Sequence, residues 1–452
     1  MKKHTTFLVI SIFIGTIVFS GCTTNNQQTP PEPTNEDFAV TLMSLFANNS
    51  FTTPYNTLFN ATLKGLTTPE QLQSIWQQIQ QAYGNFTGIM ATRTAEEQGY
   101  LIVYITCTYD KLGFLDTRVV FDKNHLIAGF QFVPTDLSSE YRPPSYANTE
   151  SFNEYNVTVG EGTPWPLPGT LTLPNGDGPF PAVVLVQGSG PNDLDETIGP
   201  NKPFKDLAWG LATQGIAVLR YEKRTKYYAS TIVTMLANFT VNDETVDDAR
   251  AAVNLLLETQ NIDQSRIYVL GHSLGAMMAP RIAQNQTTIA GLIMLAAPTR
   301  PLTDLILNQT MYLASLDGNI SAAEQEQIDA LRESISLITS HNLSPEQIIL
   351  GGSAAYWYDL NGYDPVATAH TLDIPLFILQ GERDYQVTYA DDFPGWQQTF
   401  TGSSNVTLKA YLLLNHLFIA GNGQPTNTEY MQPGHVDEQV VGDIAEWILS
   451  VQ

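Results

Sequence analysis

Gly271-His272-Ser273-Leu274-Gly275 joins a short apolar run, Ile267 to Leu270, to a helix-forming segment. A serine hydroxyl is a weak nucleophile unless it is held exposed and given a base. Glycines on both flanks let the backbone turn sharply without a Cβ clash. The spacing therefore predicts a strained turn that presents the Ser273 Oγ. The helix opening at Leu274 adds partial positive charge where an oxyanion would form. A bare Gly-x-Ser-x-Gly means little; strand before and helix after make Ser273 a candidate nucleophile.

Such a serine needs a histidine base, and the base needs an orienting acid. When a parallel sheet presents its serine in this way, the acid and then the histidine follow in chain order. Gly381-Glu382-Arg383-Asp384-Tyr385-Gln386-Val387 follows the strand Pro375 to Gln380, which makes Asp384 the candidate acid. Of its competitors, Glu382 falls too close to the strand, and Asp391 and Asp392 are expected on the next helix. His416 follows the last strand, Val406 to Leu414, and is taken as the base. His4, His125, His341 and His370 are badly placed in chain order. His272 adjoins Ser273 but is expected to point away from Oγ. The rival is His435, which opens the final helix, Val436 to Val451, and more simply sets its start. An oxyanion site needs two backbone N–H groups. Leu274 supplies one. The other is assigned to Ser189, in Gln187-Gly188-Ser189-Gly190-Pro191-Asn192-Asp193 after the strand Ala182 to Val186.

These residues must be carried by a sheet. Ala182–Val186, Ile216–Leu219, Ile267–Leu270, Leu292–Leu295 and Leu376–Leu379 are nearly continuous apolar runs, as in strands buried on both faces. Helix-length stretches lie between most of them, for example Asn242 to Thr259, so the body is α/β with a mostly parallel sheet. Residues 299–372 lack a strand pattern and read as a helical cap inserted between two strands. Ahead of this body, at 37–133, lies a small α+β domain. Thr68-Pro69-Glu70-Gln71 is a capping box that opens a helix. Three segments of period two follow: Gly99–Ile105, Leu115–Phe121 and Leu126–Phe132. Residues 134–153 form a linker, and 154–452 the catalytic domain.

Gly188-Ser189-Gly190-Pro191, the Gly-His-Ser-Leu-Gly turn, Gly-Glu-Arg-Asp-Tyr-Gln-Val and Leu414-Asn415-His416 together resemble secreted α/β-hydrolase serine esterases. These are related to the prolyl-oligopeptidase and dienelactone-hydrolase groups. The likeness runs from about Tyr155 to the C-terminus, and the first domain resembles small accessory domains found ahead of some secreted hydrolases. The family usually has a bracing His where this chain has Gln187. The run Arg220-Tyr221-Glu222-Lys223-Arg224 also fits, either facing the site or tying a strand end to its neighbours. The resemblance implies a carboxylesterase of modest-sized esters, with no metal or organic cofactor.

At the N-terminus, Lys2 and Lys3 precede an apolar run, Phe7 to Phe19, then Ser20-Gly21-Cys22. Residues 1–22 read as a signal peptide with a lipoprotein cleavage box. Lipidation of Cys22 would tether the chain to the outer face of a membrane, with the Pro-rich stretch 23–36 as a flexible linker. Plain secretion is the alternative. Cys107 then has no disulfide partner. Sequons at Asn48, Asn60, Asn85, Asn156, Asn238 and Asn405 fit an exported chain. The net charge of −24 sets nucleic acid aside as a partner. The reading is acyl transfer on a small-molecule ester. A peptidase of related fold and a catalytically inactive surface binding protein stand as alternatives.

Overall fold

The structure is a computed structural model. It describes residues 33–451, apart from 98–99, 111–112, 134 and 136–140. The signal peptide, the lipidation site Cys22 and most of the 23–36 tether lie outside the described residues. Two compact units divide between Leu137 and Ser138.

The first unit packs four helices against a sheet: α1 (Asn35–Ala47), α2 (Thr52–Thr57), α3 (Ala61–Leu66) and α4 (Pro69–Tyr83). Thr34 caps α1, so helix begins inside the stretch read as tether. The capping box of α4 forms as expected, with Thr68 and Gln71 each bonding the other's backbone N–H. The sheet is an antiparallel meander of β1 (Phe86–Glu97), β2 (Tyr100–Tyr109), β3 (Gly113–Phe121) and β4 (Ile127–Val133). β1 was not anticipated: its Thr-, Arg- and Glu-containing sequence lacks an apolar alternation. The fully buried Trp76 centres the core between Phe46, Phe86, Tyr109 and Phe132. Cys107 is buried in β2, and burial pushes its thiol up to about 12.

The second unit is built on eight strands: β5 (Phe152–Val159), β6 (Leu167–Pro174), β7 (Phe180–Val186), β8 (Ala217–Tyr221), β9 (Ile262–His272), β10 (Ile289–Leu295), β13 (Leu376–Gly381) and β14 (Val406–Tyr411). A two-stranded hairpin, β11 (Ile348–Ile349) with β12 (Gly352–Ser353), stands apart. The large sheet runs β14-β13-β10-β9-β7-β8-β6-β5. β7, β8, β9, β10, β13 and β14 are mutually parallel, while β5 and β6 join antiparallel at one edge.

Helices cover both faces. On one side α5 (Pro203–Thr213) and α15 (Glu438–Ser450) pack Phe204, Leu207, Val440 and Ile444 onto Val183 and Leu185 of β7. On the other, α8 (Asp247–Glu258) and α9 (Leu274–Ala283) pack Val253, Leu256 and Met277 onto Val184 and Val186. Successive side chains of one strand thus enter different cores, which explains the unbroken apolar runs. α8 is preceded by one π-helical turn, Asn242–Val246. Short α6 (Arg224–Tyr227) and α7 (Ala229–Met235) follow β8.

Residues 299–372 form α10 (Leu302–Ala314), α11 (Ala322–Thr339), the hairpin, α12 (Ala354–Asn361) and α13 (Pro365–His370). The expectation of a purely helical cap needs correction on two counts. The segment contains the hairpin. In addition, Trp357, Leu360 and Ala369 of α12 and α13 belong to the main core, so its later half is part of the body. α14 (Phe393–Thr399) separates β13 from β14.

The chain passes from β7 to β8 on one side of β7, then crosses to β9 on the other. At such a switch point the loops leaving adjacent strand ends diverge and open a crevice. The loops after β7 and β9 are those that carry Ser189 and Ser273.

Candidate active site

Ser273 links β9 to α9 with φ 54° and ψ −116°. A non-glycine residue here costs about 1–3 kcal/mol and needs surroundings that enforce it. Close packing does so. A Cβ on Gly271 would meet the Gly275 carbonyl oxygen at 2.2 Å, and one on Gly275 would meet the Val186 carbonyl oxygen at 2.1 Å. The turn is therefore pressed against the end of β7, where no side chain fits. Ser273 N–H donates to Leu295 O at 2.9 Å, fixing the turn to β10. Leu274 is the first residue of α9, whose N–H groups have no partner within the helix.

Asp384 and His416 come together at the ends of β13 and β14. His416 Nδ1 lies 2.6 Å from Asp384 Oδ2, and both residues are buried. The other Asp384 oxygen accepts N–H bonds from Gln386, 2.7 Å, and Val387, 3.0 Å. Gln380 Nε2 adds a longer bond to Oδ2, 3.3 Å. Four donors hold the carboxyl as an acceptor, so His416 Nδ1 carries a proton and its Nε2 is left with a lone pair. Asn415 shapes the His416 loop, its Oδ1 accepting from Leu417 and Ile419 N–H.

The competing residues have other partners. His435 Nδ1 faces the buried Asp206 at 3.1 Å, and Asp206 also takes the Val436 N–H. His435 thus helps fix the approach to α15. Glu382 is exposed at the strand end. Asp391 and Asp392 lie in turns ahead of α14, not on it as expected. Asp392 is fully buried and takes Arg300 through two nitrogens, 3.2 and 2.6 Å.

His272 plays a larger part than expected. Its Nε2–H donates to the His416 carbonyl at 2.9 Å, and its ring centroid is 4.7 Å from that of His416. Its Nδ1 faces Glu196 Oε2 at 3.0 Å. Both ring nitrogens lie within 3.0 Å of an oxygen, at Nδ1 as an ion pair rather than an aligned hydrogen bond, and these surroundings favour the imidazolium. Burial is the largest single effect and would push its pKa down; the Glu196 carboxylate, with the His416 carbonyl and Asp384, raises it above the usual histidine value of 6.5. Glu196 Oε1 in turn accepts the Gly188 N–H at 2.6 Å. One buried carboxylate therefore connects the Gln187–Asp193 loop to His272 and so to the His416 backbone.

That loop lies against the nucleophile: a Cβ on Gly188 would sit 3.2 Å from the Ser273 Cβ. Gln187, in the place of a bracing His, donates from Nε2 to the Tyr221 carbonyl. Ser189, two residues after Gln187, is exposed. In the basic run that begins in β8, Arg220 pairs with Asp195 and Glu154, and Arg224 with Asp248. Lys223 is buried between Gly188 O at 2.6 Å and Glu244 Oε1 at 2.7 Å, and Tyr356 OH donates to Glu244 Oε2 at 2.7 Å. Glu196, Glu244 and Tyr356 escaped sequence reasoning. Each is far in the chain from what it touches, and no local spacing marks them. Among the described residues, no group of three or more His, Cys, Asp or Glu could hold a metal ion.

The strand order, the turn at Ser273 and the loops after β7, β13 and β14 define an α/β-hydrolase. Comparison with known proteins places it further. Residues 201–420 match the family described as serine aminopeptidase, S33, and residues 39–130 match a family of unknown function, DUF3887. The chain is 37% identical over 441 residues to esterase EstD of Thermotoga maritima, spanning 98% of each chain. Among solved structures, it is similar to a hyperthermophilic esterase from the archaeon Pyrobaculum calidifontis. Identity is 14%, coverage 70% of this chain and 88% of that one, and the TM-score 0.45. It is similar too to the Pyrococcus horikoshii acylaminoacyl peptidase, with 13% identity, 80% and 49% coverage, and a TM-score of 0.47. This chain belongs to the family of α/β-hydrolase serine esterases that includes EstD.

The His272–Glu196 pair makes stability depend on pH. His272 titrates higher in the folded chain than in the unfolded one, where 6.5 applies. Its contribution is complete below about pH 6.5 and disappears as pH rises through the higher folded value. Thermal melts from mildly acidic to mildly alkaline pH should show wild type losing stability over this interval. His272→Asn, less stable at the acid end, should lack that part of the loss. Parallel pH profiles for the two proteins would contradict the charged assignment.

Proposed function

We propose that this chain hydrolyses carboxylic esters by acyl transfer through Ser273, His416 and Asp384. The observation that carries the reading is the buried His416–Asp384 pair, whose imidazole centroid lies 4.7 Å from that of His272, the residue before the strained Ser273. The Ser273 Oγ attacks the ester carbonyl carbon while its proton passes to His416 Nε2. Asp384, held by its donors, orients the ring and stabilises the imidazolium. The carbonyl oxygen becomes an oxyanion and is held by the N–H groups of Leu274 and Ser189. Collapse expels the alcohol, which takes the proton from His416. Water then attacks the acyl-enzyme, His416 accepting its proton, and the acid leaves as Ser273 regains its hydrogen.

Substrates are small-molecule esters of modest size. Supporting this, α10 is tied to the acid loop: Tyr312 stacks on Tyr385 with centroids 5.3 Å apart, and Gln309 Nε2 reaches Gln386 O at 3.3 Å. Access past the acid loop is thereby narrowed. With p-nitrophenyl butyrate, Ser273→Ala and His416→Ala should each lower kcat at least about 10⁴-fold, whereas His435→Ala should turn over near the wild-type rate. Full turnover in Ser273→Ala, or its loss in His435→Ala but not His416→Ala, would refute the assignment. The matched family's description names an aminopeptidase, so aminoacyl p-nitroanilides belong in the same assay. Turnover of these in preference to esters would make peptides the substrate.

The chain works outside the cell, tethered to the outer face of a membrane by lipid on Cys22. Lys2, Lys3, the apolar run to Phe19 and the small residues before Cys22 support this. In a bacterial host fed radiolabelled palmitate, wild type should take up label and fractionate with membranes. Cys22→Ser should do neither; equal labelling of both would exclude the anchor.

A further inference from the structure

We propose that Lys223 is a positioning residue for the oxyanion site: its ammonium, bonded to the Gly188 carbonyl oxygen, aims and polarises the Gly188–Ser189 peptide so that the Ser189 N–H serves the developing oxyanion. The inference rests on the ester-hydrolase reading above and deepens it.

The geometry begins with one peptide group. In a trans peptide the C=O and N–H lie in one plane and point in opposite directions. The Gly188 oxygen receives Lys223 Nζ at 2.6 Å and Asn192 Nδ2 at 3.1 Å. The Ser189 N–H of the same peptide therefore points away from Lys223. Gly188's own N–H is taken by Glu196, which leaves Ser189 as the next donor along the loop. Among the described residues the Ser189 N–H has no acceptor. A Cβ added to Gly188 would sit 3.2 Å from the Ser273 Cβ, so this peptide lies beside the nucleophile.

Charge matters as much as direction. A cation on a peptide oxygen draws electron density toward that oxygen and makes the N–H at the other end of the same peptide a stronger donor, an effect that a dry site enlarges. Lys223 is 2% exposed, an uncommon place for lysine unless it is paired. Glu244 supplies the pairing and is held by Tyr356, so the ammonium is fixed rather than searching. Lys223 also donates its backbone N–H to Asn192 O at 3.2 Å. A single residue thus holds both ends of the turn from Gly188 to Asn192. Its basic neighbours behave differently: Arg220 and Arg224 spend their bonds on carboxylates of surrounding elements and serve the strand end.

The test uses the full chain. Lys223→Met strands the buried Glu244 carboxylate and could fail to fold for that reason alone. The pair Lys223→Met with Glu244→Gln removes both charges and keeps the amide in reach of Tyr356. Each variant is assayed for thermal stability, for kcat and KM on p-nitrophenyl butyrate, and for inhibition by a phenylboronic acid, whose tetrahedral serine adduct places an oxygen in the oxyanion site. In the double variant, folded like wild type, kcat should fall about 10- to 100-fold with KM little changed, somewhat less than loss of a whole oxyanion donor. Boronate affinity should fall by a similar factor. A folded double variant with wild-type kcat and boronate affinity overturns the proposal, and so does one in which only KM rises. If wild type neither turns over esters nor binds the boronate, the ester-hydrolase reading falls and this proposal with it. An active wild type beside an unimpaired double variant sinks the proposal alone.

Discussion

The close approach of the Gly275 backbone to the carbonyl oxygen of Val186 governs this molecule. It leaves no room for a side chain at the start of α9, and so presses the turn at Ser273 against the end of β7. A serine at φ 54° is unfavourable by itself. The cores on the two faces of the sheet enforce it, because relaxing the turn would pull α9 off Val184 and Val186. The fold thus uses packing energy, spread over dozens of apolar contacts, to hold one hydroxyl in place.

Around that turn the polar groups are buried but connected. Asp384 is saturated with donors, which fixes the His416 tautomer. Glu196 joins Gly188 to His272, and His272 joins the backbone of His416. Lys223 and Glu244 brace the same glycine from the other side. A buried charge is tolerable when each lone pair and proton has a partner, and a network of that kind resists rearrangement. The loops that flank Ser273 are therefore rigid for electrostatic reasons, whereas the strands beneath them are rigid for hydrophobic ones.

Much of this was legible in the residues. The runs of β7, β9, β10 and β13 are continuous because helices cover both faces, so their pattern states their environment. Asp384 and His416 could be chosen because strand ends and chain order limit the choice. Legibility ends where contacts are non-local or alternation is weak. β1 and the antiparallel edge strands β5 and β6 carry Thr, Asn, Gly and Pro in place of a clear stripe. The partners Lys223 and Glu244 are 21 residues apart, in a loop and a π-turn that no spacing rule connects. The bonds His272 makes were not legible because they depend on Glu196 and the His416 carbonyl, which have no visible tie to it in the chain. Asp391 and Asp392 stop one or two residues short of the helix on which they were expected, as α14 starts at Phe393.

The central claim is that Ser273 alone is activated. The most direct measurement is peptide mapping after stoichiometric inactivation of the wild-type chain with a fluorophosphonate. The account predicts one phosphonyl group per chain, on the peptide that contains Ser273, with activity lost in proportion to its incorporation. An inactivated chain carrying its adduct on any other residue, or an active chain that takes up none, would contradict it.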